Sequence, residues 1–312
     1  MSTTDVINYA RDSGIYKSEL AGAIIFAVIY ALLFAYNAVR SMRHPTYVLV
    51  VLAFFCLIRV VAFTLRSVLA GDATAGQNIH LFIAEQIIYS VGFFGLLYSA
   101  YTLVLDRELI AVGPSGRQTP DGIIGLVSRV MRNRHLIRLA LLAAVGLGIA
   151  AGVQSSETST SAQNSAVTLR RASVYIFLVV SIMLVLVTAR LAFEEELSGR
   201  DDDGPIGRKH RLILLLAIAL LCVTREAFFA ATSKNTKQQN NAHLWYPLAA
   251  LTELVAVLLF AVLYLVPSRA EISKDLGLVP QEPDQWGTQE KLVGEPIAMP
   301  ALRHSETRPG PV

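Results

Sequence analysis

The sequence YVLVVLAFFCLIRVVAFTLRSVLAG occupies residues 47–71, and this apolar run is long enough to cross a lipid bilayer. It contains two arginines, Arg59 and Arg66. At about 1.5 Å rise per residue, Arg59 lies roughly 18 Å from either end of such a helix, and Arg66 lies two turns further along the same face. Because an arginine near the bilayer midplane costs about 2.5–3.5 kcal/mol, this face must contact carboxylates, carbonyls or water. The stretch therefore predicts a transmembrane helix in a bundle with a polar interior.

The composition of the whole chain agrees with a membrane protein. Hydrophobic residues make up 54% of the 312 residues and charged residues only 16%, which is too apolar for an ordinary soluble domain. The two cysteines, Cys56 and Cys222, both fall in apolar runs. We interpret them as small packing residues, since they offer neither a disulfide framework nor a thiol metal site.

Seven apolar runs have the length that a hydrocarbon core of about 30 Å requires. They cover residues 20–39, 46–69, 79–105, 136–153, 169–193, 212–231 and 244–266. We therefore predict an all-α polytopic membrane protein, a bundle of seven transmembrane helices over residues 20–267. Residues 1–19 are predicted to form an external or lumenal amino-terminal segment. The proline-interrupted residues 268–312 are predicted to form a disordered cytosolic tail.

The distribution of lysine and arginine predicts the orientation of the bundle. One set of alternate connections and the carboxyl terminus carries 16 of these residues, whereas the other set and the amino terminus carry 6. Because cytosolic loops are enriched in lysine and arginine, the amino terminus is predicted outside and the carboxyl terminus in the cytosol. Seven spans satisfy this requirement, since an odd number places the two termini on opposite sides.

Charged residues inside the predicted spans point to a candidate functional site. Three arginines face three glutamates, namely Arg59, Arg66 and Arg225 with Glu85, Glu226 and Glu253, which predicts a neutral interior. The directions of the helices put these charges in the outer half or near the middle of the bilayer. We therefore predict a cavity that opens outward and serves as a ligand or pathway site. The residues predicted to line its mouth are Tyr89, His80, His243, Trp245 and Tyr246.

A structural interpretation of the same charges stays open. In this interpretation the buried ion pairs only specify which helices are neighbours. For Arg66, the outermost arginine, we favour a side chain that snorkels to the interface. Trp245 and Tyr246 are typical of the aromatic belt of a membrane protein rather than of ligand contacts.

The connections between the spans suggest partners on the cytosolic side. After Pro120, the segment GIIGLVSRVMRNRH has an apolar helical stripe formed by Ile123, Leu126, Val127, Val130 and Met131. Three arginines accompany the stripe: Arg129, Arg132 and Arg134. This pattern favours an interfacial helix on the anionic lipids of the cytosolic leaflet, with a plain positively charged loop as the alternative.

Two further connections are predicted to be solvated loops. The segment EEELSGRDDDGPIGRKHR changes from acidic to basic and is a possible docking site for a cytosolic protein. The segment QSSETSTSAQNSAV, on the predicted outer side, is interpreted as a flexible polar loop that places Arg170 and Arg171 at the edge of the fifth span.

No pattern in the sequence indicates an enzyme. The chain has no His-x-x-x-His pair in a helix, no Gly-x-Ser-x-Gly and no glycine-rich phosphate loop. We therefore expect no catalytic residues, no metal, no cofactor and no nucleic-acid partner.

Several short segments resemble the tobamovirus-multiplication family of seven-helix proteins. These segments are VRSMRHPTY, LIRVVAF, ARLAF and VTRE, together with Tyr246, Glu253 and the closing Leu265-Val266-Pro267. The resemblance implies a receptor-like protein of the plasma membrane or of endosomal or vacuolar membranes, without enzymatic activity. It also implies that Arg59, Arg190, Arg225 and Glu253 are the family-type charges.

The chain is similar, less closely, to fungal seven-helix lipid-translocating exporters. Those proteins also carry an arginine in the second span and an arginine-glutamate combination in the sixth. Here Arg225 directly precedes Glu226, in place of a spaced Arg-x-x-x-Arg-x-x-Glu, and the seventh span lacks an aspartate after its tyrosine. Our leading hypothesis is therefore a receptor-like or scaffolding membrane protein, and the alternative is a translocator of lipids or amphipathic compounds.

Overall fold

Seven long helices dominate the structure. The computed structural model describes residues 8–43, 45–112, 122–157, 159–197, 210–262 and 265–266, and the regular structure within these ranges is helical throughout. Seven of the described helices are long and apolar enough to cross a membrane. They are α1 (Leu20–Arg43), α2 (Tyr47–Gly71), α3 (Ile79–Val112), α4 (Arg134–Gln154), α5 (Thr160–Leu197), α6 (Arg211–Thr232) and α7 (Ala242–Ala261). The prediction of seven helices with transmembrane character is thus confirmed.

Shorter helices connect or precede the long ones. These are Tyr9–Asp12, the 3₁₀ turn Lys17–Glu19, Ala73–Gly76, Ile123–Arg132 and Thr236–Gln239. We refer to Ile123–Arg132 as the connecting helix. Side-chain caps define several starts, for example Asp72, whose carboxylate accepts the N–H of Thr74 at 2.9 Å, because the first N–H groups of a helix lack partners within it.

The bundle has an apolar outer surface and an apolar core that encloses buried charges. Consecutive long helices pack side by side, and α3 lies centrally because it contacts α2, α4, α5 and α6. Arg59 is 0% exposed, whereas the apolar side chains of Leu32 and Leu139 are 67% and 70% exposed. So much exposed apolar surface is unfavourable in water. In a bilayer it is favourable, since lipid contacts the apolar surface and the buried charges pair with one another.

A wide turn interrupts α7 at a proline. Residues Tyr246–Ala250 form a π turn in which the N–H of Leu251 donates to the carbonyl of Tyr246, five residues earlier. Pro247 has no N–H and its ring crowds the preceding turn, so the regular α pattern cannot pass through it. The turn directs the side chain of Tyr246 toward α1, where its hydroxyl donates to the carbonyl of Glu19 at 3.2 Å.

The prediction of an outer loop over residues 154–167 is wrong for the second half of this segment. Helix α5 begins at Thr160, nine residues before the predicted span, and the hydroxyl of Ser159 accepts the N–H of Ala162 at 3.3 Å. Ala166 packs inside the bundle, which stabilises helix in a polar stretch that hydropathy alone assigns to a loop. Arg170 therefore lies within the helix, about three turns from its start, and not at its edge.

The segment before α1 is part of the folded bundle. Ala10 and Ile15 are buried in a small apolar cluster with Leu69 and Ala70, and Glu19 is also buried. Residues 8–19 therefore pack on the bundle, and the external or lumenal location of residues 1–19 stays a prediction. The predicted disordered tail, residues 268–312, and the acidic-to-basic part of the fifth connection, residues 198–209, lie outside the described residues.

The connecting helix is present but is anchored to the bundle. Met131 and Ser128 are buried, the hydroxyl of Tyr101 donates to the carbonyl of Met131 at 2.8 Å, and the hydroxyl of Ser128 donates to Glu108. Leu126, part of the predicted apolar stripe, is exposed. The predicted stripe is thus divided: Leu126 is exposed, whereas Met131 packs on the bundle.

The three arginines predicted to contact lipid headgroups occupy two different settings. Arg129 and Arg132 are exposed on the connecting helix, and Arg134 begins α4 and pairs with Asp106 at 3.1 Å. Contact of these side chains with an anionic leaflet stays a prediction.

Candidate functional site

Four charged side chains from three helices form a buried network that we call the central cluster, composed of Arg59, Arg225, Glu226 and Glu253. Oε1 of Glu253 accepts from Nη2 of Arg59 at 2.6 Å and from Nε of Arg225 at 2.8 Å. Arg225 also donates through Nη1 to Glu226. All four side chains are at most 4% exposed. One carboxylate oxygen thus joins α2, α6 and α7.

Aromatic rings and one backbone carbonyl complete the surroundings of the two central arginines. The carbonyl of Tyr89 accepts from Nη1 of Arg59 at 2.6 Å, and its ring lies 4.1 Å from Cζ of the same arginine. Cζ of Arg225 lies 4.1 Å from the ring of Phe93 and 4.4 Å from that of Phe229. Such cation–π contacts favour keeping both guanidinium groups charged inside the bundle.

A second buried network, the Arg66 cluster, consists of Arg66, Glu19 and Glu85. Arg66 donates to Oε2 of Glu19 through Nη2 at 2.9 Å and through Nε at 3.2 Å, and to Glu85 through Nη1 at 3.3 Å. Its Cζ lies 3.8 Å from the ring of Trp245, and Gln86 donates to Glu85 at 2.7 Å. The Arg66 cluster ties the segment before α1 to α2 and α3.

The Arg66 cluster corrects three predictions. Arg66 does not snorkel to the interface, because its side chain is 1% exposed and paired on both sides. Trp245 is buried under that guanidinium and is not part of an interfacial belt. Glu19 is a buried charge that sequence reasoning missed, and with it the central cluster and the Arg66 cluster together contain four glutamates and three arginines, so the predicted neutral balance is wrong. Only its position directly before the first apolar run signalled that it could reach the bundle.

A cavity of about 400 Å³ lies between α3, α4, α5 and α6. Its apolar lining includes Phe82, Ile83, Ile87, Val174, Phe177 and Phe229. Its charged lining consists of Arg170, Arg225, Glu226 and Lys234. The volume and the mixture of an apolar wall with a few polar groups are typical of small-molecule sites.

Several polar atoms of the cavity wall are buried without a hydrogen-bond partner among the described residues. They are Nη2 of Arg225, Oε2 of Glu226 and Oε1 of Gln239. Each such atom costs about 1–3 kcal/mol if nothing binds to it. A bound molecule with hydrogen-bonding groups would satisfy them.

The predicted site residues divide between these three places. Arg225 and Glu226 line the cavity, whereas Arg59, Glu253 and Tyr89 lie behind them in the protein interior. Arg66 and Glu85 belong to the Arg66 cluster. The single outward-facing cavity built on Arg59, Arg225, Glu85, Glu226 and Glu253 is therefore replaced by two ion-paired clusters and a cavity that touches one of them. Sequence reasoning missed Arg170 in the wall, because the start of α5 was placed too late.

Close approach at Gly92 holds Arg59 in place and gives a first test. A methyl group at Gly92 would lie 2.8 Å from Cγ2 of Ile58 and 3.1 Å from Nη1 of Arg59. We expect Gly92→Ala to lower the free energy of unfolding by about 1–3 kcal/mol, the usual cost of overpacking. Thermal unfolding of the purified protein in detergent measures this change.

Gly146 supplies the matched control for Gly92. It also lies in a long helix, but a methyl group there would meet nothing within 4 Å. Because alanine favours helix over glycine, Gly146→Ala is expected to be neutral or slightly stabilising. Equal effects of the two substitutions would contradict the close approach between α2 and α3.

Comparison with known proteins adds no relative. No family model, no curated protein sequence and no solved structure matches the chain. The class is therefore defined by the fold and the site alone: the described residues form an all-α bundle with seven helices long and apolar enough to cross a membrane and with two buried clusters of paired charges.

Proposed function

We propose that the chain is a receptor-like integral membrane protein that holds an amphipathic ligand in the cavity between α3, α4, α5 and α6. The excess of lysine and arginine on the predicted cytosolic connections supports an amino terminus outside. In that orientation the polar end of the cavity, near Lys234 and Gln239, faces outward. The exposed arginines of the connecting helix would face the cytosolic leaflet and its protein partners.

The observation that carries this proposal is the presence of unsatisfied buried atoms in the cavity wall. Glu226 is 0% exposed and pairs through only one of its oxygens, so the other oxygen is free to accept from a ligand donor. Arg225 likewise keeps one nitrogen without an acceptor. A bound ligand that donates to Glu226 and accepts from Arg225 would satisfy both groups.

The ion pairs beside the cavity favour reception over translocation. Arg225 and Glu226 line the cavity, and behind them the paired side chains of Arg59 and Glu253 join α2, α6 and α7. Moving a substrate past this point requires separating ion pairs in a low-dielectric interior, which is costly. The same pairs would couple an occupied cavity to the packing of three helices.

A bulky substitution in the cavity wall tests whether a ligand binds in the cavity. Ser90 is an exposed residue of the cavity wall on α3, and phenylalanine at this position would occupy part of its volume. The purified protein in nanodiscs is treated with a panel of diazirine-bearing single-chain amphiphiles with anionic, neutral and cationic heads. We expect at least one of them to label cavity peptides in the native protein and Ser90→Phe to reduce that labelling about tenfold, the effect of losing roughly 1.4 kcal/mol of binding.

Val61→Phe is the control for added bulk. Val61 is exposed on α2 and lies outside the cavity lining, so labelling should not change. Absence of saturable cavity labelling by the whole panel would overturn the ligand-binding proposal. Flux of fluorescent lipids across reconstituted vesicles, above that of protein-free vesicles and lost in Ser90→Phe, would replace reception with translocation.

A further inference from the structure

Arg170 is a positively charged group of the cavity wall that lacks a counter-charge. It lies within α5, in the part of the helix that lines the cavity. No hydrogen-bond or ion-pair partner for it occurs among the described residues, although every other arginine in the wall or just behind it is paired with a glutamate. A guanidinium in a membrane-spanning helix needs a counter-charge or access to water, and the half-buried side chain of Arg170 lines the cavity.

The charges of the wall do not balance without a ligand. Arg225 and Glu226 pair with each other, and Arg225 also shares Glu253. Among the described residues of the wall, Arg170 and the exposed Lys234 then remain as two cations without an acidic residue to neutralise them. The uncompensated charge of the cavity is therefore positive.

The lining of the cavity is long enough for an extended alkyl chain. The lining residues on α5 extend from Gln163 to Phe177, a length of about 21 Å along the helix axis at 1.5 Å per residue. Apolar side chains from α3 and α5, such as Ile87 and Phe177, line the cavity together with Arg170. A molecule with one charged head and an apolar body could place its head on Arg170 and its body against these side chains.

We infer that the cavity binds an anionic amphiphile whose carboxylate or phosphate group pairs with Arg170 while its apolar chain lies between α3 and α5. This inference rests on the proposed ligand-binding function and names the class of ligand. The planar guanidinium of Arg170 donates two parallel hydrogen bonds to a carboxylate or phosphate, a geometry that a lysine does not provide. Lys234 at the polar end adds attraction for the same charge.

The test compares two head groups on the same alkyl chain. The full-length protein in phosphatidylcholine nanodiscs is photolabelled with a 16-carbon diazirine carboxylate and with the alcohol of the same chain. We expect the carboxylate to label cavity peptides at lower concentration than the alcohol. Arg170→Gln should raise the half-maximal carboxylate concentration about tenfold, the effect of losing one charge-assisted contact, and leave alcohol labelling unchanged.

The neighbouring Arg171 provides the control. It carries the same charge on the same helix but does not line the cavity, so Arg171→Gln should label like the native protein. Arg170→Lys keeps the charge but not the two parallel hydrogen bonds and should recover only part of the carboxylate labelling, which separates recognition from a folding defect. An excess of unlabelled fatty acid or of phosphatidic acid then shows whether the natural head belongs to a free acid or to a membrane phospholipid.

The outcomes separate this inference from the proposed function. Equal labelling of the cavity by carboxylate and alcohol in all variants would overturn the anionic class while leaving a ligand cavity in place. A loss in Arg171→Gln as large as in Arg170→Gln would also overturn it, since general surface charge would then attract the probe. Failure of both probes to label the cavity would remove the proposed function itself.

Discussion

Replacing Glu253 with glutamine is expected to be among the most damaging single changes in this chain. The substitution keeps the size of the side chain but removes the charge that Arg59 and Arg225 share through one oxygen. Because both guanidinium groups are then left in the interior with only Glu226 to balance them, we expect a loss of about 3–5 kcal/mol in the free energy of unfolding. In thermal unfolding of the purified protein this corresponds to a fall in apparent Tm of roughly 10 °C.

Glu194 offers a control for the same chemical change at a partly exposed ion pair. It pairs with Arg190 at 2.8 Å one turn away on α5, and its side chain is 38% exposed. Since such pairs contribute about 0–1 kcal/mol, Glu194→Gln should leave the apparent Tm almost unchanged. Similar shifts in the two variants would show that Glu253 does not hold the two arginines in the interior.

A paired replacement separates structure from ligand binding in the central cluster. Arg59 and Glu253 can be replaced together by glutamine, which removes one positive and one negative charge. If the double variant regains stability and still labels in the cavity, the role of these two residues is to specify helix packing, as in our structural interpretation of the sequence.

The sequence predicted the spans well where hydropathy decides them. The run predicted at residues 46–69 appears as α2, Tyr47–Gly71, because nothing but its apolar length is needed to define it. The start of α5 was missed by nine residues, since polar residues such as Thr160 and Gln163 are helical here only through continuity with the span and the packing of Ala166. Hydropathy does not contain that tertiary information.

The charged residues were identified from the sequence, but most of their partners were not. The cost of charge in lipid was sufficient to single out Arg59 and Glu253, which meet across 194 positions of the chain. Depth along the helices could not distinguish a single cluster from two, because rotation about each helix axis decides which charges meet. Glu19 was missed for a related reason: it precedes the first apolar run and becomes buried only when the segment before α1 folds over α2.

Replacing Arg66 with glutamine is expected to release that segment. Arg66 is the one cation between Glu19 and Glu85 among the described residues, and all three side chains are about 1% exposed. Without it, two carboxylates face each other in the interior, so we expect a loss of about 3–5 kcal/mol. Residues 8–19 should respond most, since this contact is their buried ion pair, beside the small apolar cluster around Ala10 and Ile15 and the hydrogen bond from Tyr246 to the carbonyl of Glu19.

Cleavage by a lysine-specific protease reports the release. Lys17 lies in the 3₁₀ turn two residues before Glu19, so cleavage there requires the turn to leave the bundle. We expect Arg66→Gln to accelerate cleavage at Lys17 strongly, whereas Arg11→Gln, which removes an exposed charge from the same segment, should leave the rate unchanged. Adding Glu19→Gln to Arg66→Gln removes one of the two facing carboxylates and should restore part of the lost stability. If Arg66→Gln is cleaved no faster than Arg11→Gln, apolar packing and not the Arg66–Glu19 pair holds the segment on the bundle.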